Sequence, residues 1–397
     1  MMIIRFYISI FIICLVIGYP ERGIAGLKLE LVASTEWGVP LSIKSLPEEK
    51  VRKLEWEAKS LFQVQRRYQH LDTFYSRNGR LKAVTLKFPH WVDGRYEGHD
   101  SVITSLYDSS GSLIWKGQSG DFVMICNDGQ HFVSRWSDGQ ASLYFHSVDD
   151  SSGDFSREIK RAGYVTTFSE DGRFLIDIGL TVDLYTSDGK HVWTAYSNSD
   201  CQKHGGISYD GSKIVVVSMP EYGDFLIPKF SDHKLDHSDR IDPAHSLCYI
   251  TTLDGDGKLL SQTSVDYRVV HEFGLSKSGS YAAVSRYHSF IVFETNSGKQ
   301  LWAFGFEDKL GHITGLAFSD DDNLLAMGAT SHGGKADASR VVYLFDIQSG
   351  ELLDSTTVKD EFSRNRVGPS VLFSSDGEFL IVGGPSKKHV YKIKNQP

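Results

Sequence analysis

Phe168-Ser169-Glu170-Asp171-Gly172-Arg173-Phe174-Leu175-Ile176 runs from an apolar residue through a serine, two turn residues and a glycine into a hydrophobic stretch. The same order recurs along the chain. It appears at Phe74-Tyr75-Ser76-Arg77-Asn78-Gly79, Ile125-Cys126-Asn127-Asp128-Gly129, Ile207-Ser208-Tyr209-Asp210-Gly211 and Leu275-Ser276-Lys277-Ser278-Gly279. Two more copies are Phe318-Ser319-Asp320-Asp321-Asp322, with aspartate in the glycine place, and Phe373-Ser374-Ser375-Asp376-Gly377. A tight hairpin often needs φ > 0 at a central residue, which Gly adopts freely and Asn or Asp at modest cost. Ser and Asp side chains bond nearby backbone amides and so compete with continuation of a strand. Each copy therefore reads as a turn between two strands.

A second pattern alternates with the first: an apolar-aromatic pair, polar residues, a glycine and another short strand. Clear copies start at Leu106-Tyr107, Leu184-Tyr185, Val292-Phe293 and Leu344-Phe345, and Leu253-Asp254-Gly255-Asp256-Gly257 is a variant. Leu143-Tyr144-Phe145 opens a looser version, and Val390-Tyr391-Lys392-Ile393 has the strand but no room for the turn. In three copies a tryptophan stands four residues after the glycine: Trp115, Trp193 and Trp302. Two hairpins per repeat make four strands. The repeats are spaced by 39 to 55 residues, except for 68 between Ser208 and Ser276. A four-stranded antiparallel unit repeated at this period predicts an all-β, seven-bladed β-propeller. The small residues after the turns, such as Ala282-Ala283 and Ala326, are expected where blades converge on a central channel. The missing last strand predicts that 27–33 or 61–68 completes the final blade.

Gly311-His312 before a strand, then Ser319 and Leu344-Phe345-Asp346, is similar to a WD40 repeat with Phe in place of the usual Trp. The Gly-Lys-x-x-Trp endings at Gly189–Trp193 and Gly298–Trp302 resemble repeats of quinoprotein-type (PQQ-type) propellers. The resemblance covers roughly 74–394. It implies the fold and says little about activity, because such folds host scaffolds, binding proteins and enzymes alike.

Formal charge is −8 over 397 residues, with no basic block, so the electrostatic footprint of a nucleic-acid binder is missing. Arg5, the apolar run 6–18 and the small residues Gly23 and Ala25 form the parts of a secretory signal peptide. Cleavage after Ala25 is expected, leaving an exported, periplasmic or extracellular chain with no stable membrane span; an uncleaved anchor is the alternative. The run is shorter than the ~20 residues of a spanning helix. After cleavage Cys126, Cys201 and Cys248 remain. Cys201 and Cys248 are the one pair to test for a disulfide, against the plainer reading of three small half-buried residues.

Between the signal and the repeats, 26–73 forms an N-terminal extension. Ser45-Leu46-Pro47-Glu48 resembles a capping box, and Val51, Leu54, Ala58 and Leu61 fall at helical spacing, predicting a helix near 46–60. The propeller itself spans 74–397, with an insertion at 219–247. There His233 and His237 stand at i, i+4 and are the metal-ligand candidates, weighed against a polar surface loop. Asp254-Gly255-Asp256-Gly257 lacks the further carboxylates of a calcium loop, and Ser331–Lys335 lacks the spacing of a phosphate loop. No catalytic constellation stands out, and no cofactor is expected. Export, a complete set of structural repeats and the absence of catalytic motifs point to a monomeric scaffold that binds a protein, peptide or glycan through loops on one face, in one version during envelope assembly. The alternative is a quinone-dependent dehydrogenase-like or other propeller enzyme with its site at the central channel; the adjacent cysteines common in the former are lacking.

Overall fold

The computed structural model describes residues 27–36, 40–62, 71–76, 80–92, 95–117, 122–126, 128–136, 142–148, 157–159, 165–179, 181–196, 203–218, 248–265, 270–286, 288–306, 310–331, 340–358, 369–384 and 387–395. The chain enters through strand β1 (Leu27–Glu36) and helix α1 (Glu48–Phe62). Blade 1 follows as β2 (Leu71–Tyr75), β3 (Leu81–Val92), β4 (Arg95–Asp108) and β5 (Leu113–Lys116). Blade 2 is β6 (Phe122–Ile125), β7 (His131–Trp136), β8 (Ser142–Ser147) and β9 (Arg157–Ile159). Blade 3 is β10 (Val165–Phe168), β11 (Phe174–Ile178), β12 (Thr181–Thr186) and β13 (His191–Tyr196). Blade 4 is β14 (Lys203–Ile207), β15 (Lys213–Ser218), β16 (Cys248–Asp254) and β17 (Leu259–Val265). Blade 5 is β18 (Phe273–Leu275), β19 (Tyr281–Arg286), β20 (Ser289–Glu294) and β21 (Lys299–Gly305). Blade 6 is β22 (Leu310–Phe318), β23 (Leu324–Ser331), β24 (Arg340–Asp346) and β25 (Leu352–Val358). Blade 7 has β26 (Ser370–Phe373), β27 (Phe379–Gly383) and β28 (Lys387–Asn395), and β1 is its fourth strand, antiparallel to β28 from Leu27↔Asn395 to Glu36↔Lys387. These seven four-stranded antiparallel sheets make a seven-bladed β-propeller.

The serine of the first pattern organises each turn. In blade 3 the Phe174 amide donates to Ser169 Oγ at 3.0 Å, while that hydroxyl donates to Asp171 Oδ1 at 2.7 Å. Equivalent amide-to-serine bonds run from Leu81, Lys213, Tyr281, Leu324 and Phe379 to Ser76, Ser208, Ser276, Ser319 and Ser374. A buried hydroxyl thus satisfies a backbone amide that the turn would otherwise strand. Gly129, Gly172, Gly211, Gly279 and Gly377 have positive φ, and so does Asp322, the single non-glycine residue found there among the described residues. Gly79 lies outside the described residues. Asp322 keeps its place by a second role: its Oδ2 accepts from Ser276 Oγ at 3.1 Å and from Ser278 Oγ of the preceding blade.

First strands of successive blades touch, β10 with β14, β14 with β18, β18 with β22 and β22 with β26, so they surround the axis. The small residues read as channel-lining lie elsewhere. Ala282, Ala283 and Ala326 belong to second strands and are fully buried between blades. The close approaches near the axis fall instead on glycines of the first strands. A Cβ on Gly206 would lie 3.1 Å from Phe273, on Gly274 3.3 Å from Leu316, and on Gly315 3.2 Å from the Ser370 backbone.

Seams between blades are apolar. Six buried clusters join successive blades from 1 to 7, for example Ile176, Ile178 and Leu184 of blade 3 with Ile214, Val216 and Leu253 of blade 4. The seventh cluster pairs blade 7 with the N-terminal segment: Leu41, Ile43, Leu54 and Ala58 cover Phe379, Ile381 and Val390. Helix α1 also touches β2 of blade 1, so it stands where the first and last blades meet. Its first bond runs from Val51 N to Pro47 O, which makes Glu48 the first helical residue rather than the third, as a capping box at Ser45 would require. The stretch 63–70, including most of the second strand candidate, lies outside the described residues, as does 1–26, where a signal peptide is expected.

Polar contacts fix the helix. Lys388 Nζ, fully buried, binds both oxygens of Glu55 at 2.6 and 2.7 Å. Lys50 pairs with Asp376 at 2.9 Å and Glu378 at 2.8 Å, and the Ser375 amide donates to Glu57 at 3.1 Å. Burial opposes ionisation of Asp376, but bonds from Ser374 and Lys50 outweigh it and hold its carboxyl below the ordinary range.

Candidate functional site

Antiparallel order within each blade divides the propeller into two faces. Turns between first and second strands, and between third and fourth, lie on one face. Connections between second and third strands, and between blades, leave from the other. The turn face is interlocked from blade 3 to blade 6. Asp171 N donates to Tyr209 O at 3.0 Å and Tyr209 N to Lys277 O at 2.8 Å. Lys277 reaches Asp320 at 2.5 Å and lies over the Tyr209 ring at 4.7 Å.

The repeat tryptophans extend this interlocking. Trp193 Nε1 donates to Gly255 O at 2.8 Å and Trp302 Nε1 to Ile347 O at 2.7 Å, in each case on the following blade. Trp115 packs on Phe132 and His146 of blade 2, with ring centroids 5.3 and 5.2 Å away. These three residues, with Asp128, Asp171, Asp210, Asp376 and the turn glycines, build seams and turns rather than a binding site.

The other face carries the long connections. Ser218 and Cys248 flank 219–247, Ser331 and Arg340 flank 332–339, and Val358 and Pro369 flank 359–368; all six stand on this face. His233, His237 and Cys201 lie outside the described residues. Cys248 holds a free, fully buried thiol, and burial pushes its pKa up to about 12. Cys126, the serine replacement in the second turn, is likewise buried and directs Sγ to Gly172 O at 3.4 Å.

Three histidines meet on this face at the seam of blades 5 and 6. His271 precedes β18, and its amide donates to Ser285 O at 3.0 Å; the Glu272 amide donates to Ser285 Oγ at 3.0 Å. His288 occupies the turn between β19 and β20, and its carbonyl accepts from Phe306 N at 2.8 Å. His312 sits in an irregularity of β22, where the register with β23 shifts between Leu310 and Ile313. Such bulges re-aim a side chain. Ring centroids of His271 and His312 are 5.9 Å apart, and those of His288 and His312 are 6.4 Å apart at 18°.

His288 is exposed, while His271 and His312 are half-buried. Burial, and secondarily the charge of His288, holds the His271 pKa below its ordinary value. The same seam also carries an aromatic group: Phe306 lies 5.0 Å from Phe304 and 5.4 Å from Tyr343. Burial raises the Tyr343 pKa. Among the described residues, no group of three His, Cys, Asp or Glu side chains is arranged to hold a metal ion. The trio therefore brings imidazole groups of two blades to one seam.

No protein-family model and no curated protein matches the chain. Among solved structures it is similar to the Dos1 propeller, with a TM-score of 0.51 and 13% identity over 81% of this chain and 76% of that one. It also aligns with the β-propeller domain of Cps50 (Swd1) from Myceliophteria thermophila, at a TM-score of 0.49 and 10% identity over 83% of this chain and 98% of that one. The likeness is one of fold.

Sequence reasoning passed over the trio. His312 entered only as part of a repeat resemblance, and His271 and His288 not at all. Superposing the repeats on their serines and asking which polar residues fall at the opposite strand ends of adjacent blades would have brought the three together.

Proposed function

We propose that this chain is a propeller scaffold that binds a protein, peptide or glycan partner through the face opposite the Asp-Gly turns. The observation that supports this most is the asymmetry of the two faces. One is occupied by interlocked turns; the other bears the long connections and a cluster of titratable and aromatic side chains. Long connections on a rigid frame are where recognition concentrates. With the leader-like residues 1–25, the same reading puts the scaffold outside the cytoplasm.

The test is site-specific photocrosslinking in the source cells. A photoreactive residue at the exposed Arg286, on the connection face, should give discrete adducts, and one at the exposed Lys190, on the turn face, should not. Equal adducts from both positions, or none from Arg286 and adducts from Lys190, would overturn the assignment. Deleting 219–247 and repeating the Arg286 experiment asks whether the insertion belongs to the surface; an unchanged adduct pattern removes it.

A further inference from the structure

We infer that Asp354 is the catch that fastens the N-terminal strand β1 to blade 6, so that β1 is a strap able to open while the other blades stay folded. One contact recurs from blade to blade. In blades 3, 4 and 5 the residue four places after the glycine of the second turn donates to the following blade. Trp193 Nε1 reaches Gly255 O at 2.8 Å, Ser261 Oγ reaches Thr295 O, and Trp302 Nε1 reaches Ile347 O at 2.7 Å. Gly255, Thr295 and Ile347 hold one equivalent place, directly after the third strand of their blades, where the second turn begins.

Blade 6 keeps the place and inverts its polarity. Four residues after Gly350 stands Asp354, half-buried on β25. The blade that follows has no second hairpin, because its fourth strand comes from the other end of the chain, so it has no turn carbonyl to receive a donor. What β1 offers instead is an amide. Ile393 N donates to Glu378 O at 2.9 Å, on the side of β27, so Leu29, opposite Ile393 in the register, turns its own N–H away from β28. An outward amide on a partly covered edge needs an acceptor. Asp354 supplies it: the Leu29 amide donates to Oδ2 at 2.6 Å, while Oδ1 accepts from the Ser355 amide at 2.8 Å. A tryptophan in this place would have no acceptor to give. Alone among the fourth strands, β1 does not follow its third strand in the chain. Its hold on the ring therefore rests on pairing with β28, apolar packing and this carboxylate.

Hydrogen–deuterium exchange of the full chain, read by mass spectrometry, compares peptides from β1, 27–36, with peptides from blade 3, 165–196. Asp354→Ala should speed exchange in β1 by about tenfold, as expected for loss of a hydrogen bond to a charged acceptor, and leave blade 3 unchanged. Asp354→Asn keeps an acceptor oxygen and should recover part of the protection. Asp354→Trp installs the residue that blades 3 and 5 use, and should protect β1 no better than alanine does. Unchanged exchange of β1 in the alanine variant overturns the proposal. Equal acceleration in β1 and blade 3 overturns it too, since Asp354 would then support the whole fold and β1 would not open by itself. Wild-type protection of β1 in Asp354→Trp refutes the exchange of donor for acceptor.

Discussion

Burial of His146 makes the seam between blades 1 and 2 sensitive to acid, and the size of the effect follows from its surroundings. The imidazole lies on β8 opposite Phe132, stacked on that ring at 4.5 Å and 3°, with Trp115 of blade 1 at 5.2 Å. Its Nε2 shares a hydrogen with Ser134 Oγ at 2.9 Å, and Nδ1 has no hydrogen-bond partner among the described residues. An imidazolium there would carry an unsolvated N–H between aromatic faces, and burial lowers its pKa to about 4 from 6.5. The folded-state value lies below the unfolded one, so between the two the unfolded chain binds more protons. Stability is complete above pH 6.5, declines as pH falls through the unfolded value, and stops declining near the folded value of about 4. The slope is about 1.4 kcal/mol per pH unit, giving a loss of roughly 2 kcal/mol at pH 5 and about 3 kcal/mol at the end of the window. His146→Gln preserves an acceptor or donor near the Nε2 position and abolishes titration. Urea unfolding of both proteins at pH 7.5 and 5 measures the difference. The wild-type chain should lose about 2 kcal/mol more than the variant. Equal losses in the two would refute the assignment of a buried, neutral imidazole.

Other consequences follow from the seams and turns. Lys388→Met leaves the half-buried Glu55 without this cation and should cost about 3 kcal/mol, while Lys388→Met with Glu55→Gln should recover much of it in a denaturant titration. Gly350→Ala places a Cβ 2.6 Å from Trp302 Cγ at a φ of 72° and should destabilise by about 2 kcal/mol. Trp302→Ala, which removes both that ring and the Ile347 bond, should cost about 3 kcal/mol, and the double variant should fall short of the sum in thermal unfolding. Asp322→Gly relieves a φ of 58° but deletes the acceptor of Ser276 and Ser278, so its stability should change by less than about 1 kcal/mol. Asp322→Ala keeps the strain and loses the acceptor, and should cost about 2 kcal/mol or more by the same measurement.

The architecture was legible because its causes are local. A turn that needs positive φ and a hydroxyl to hold its closing amide writes both residues into a short stretch; seven copies, one with Cys126 for the serine and one with Asp322 for the glycine, set the blade count. The absent strand after Val390-Tyr391-Lys392-Ile393 was readable for the same reason, since every other repeat showed one more hairpin. What local patterns cannot carry is contact between distant residues. Glu55 and Lys388 lie 333 positions apart, and nothing near either residue marks the pair. His271, His288 and His312 belong to three different connections, and only the ring's geometry brings them to one seam. The placement of small residues failed for a related reason: Ala282 and Ala326 are small because blades pack face to face, whereas the axis selects for glycine in strands that carry no repeat signal of their own.

The closure of the ring follows from the same contrast between local and distant contacts. Six seams are made by two sheets, each presenting alternate apolar side chains to the other, so each is specified by strand patterning alone. The seventh has a sheet on one side and a helix with its preceding loop on the other. Leu54 and Ala58 present only a narrow apolar stripe, which a helix of this length cannot widen to the area of a blade face. The remaining specification is polar: Glu55 to Lys388, Glu57 to the Ser375 amide, Lys50 to Asp376 and Glu378. Two of these grip the turn of blade 7, where a Cβ on Gly377 would meet nothing within 4 Å, whereas Gly172, Gly211 and Gly279 are packed tightly on the preceding blade. The helix thus supplies to the last turn the hold that a neighbouring blade gives the others. Because the ion pair at Lys388 is the described one whose lysine is fully buried, its geometry rather than apolar area fixes where the N-terminal segment docks.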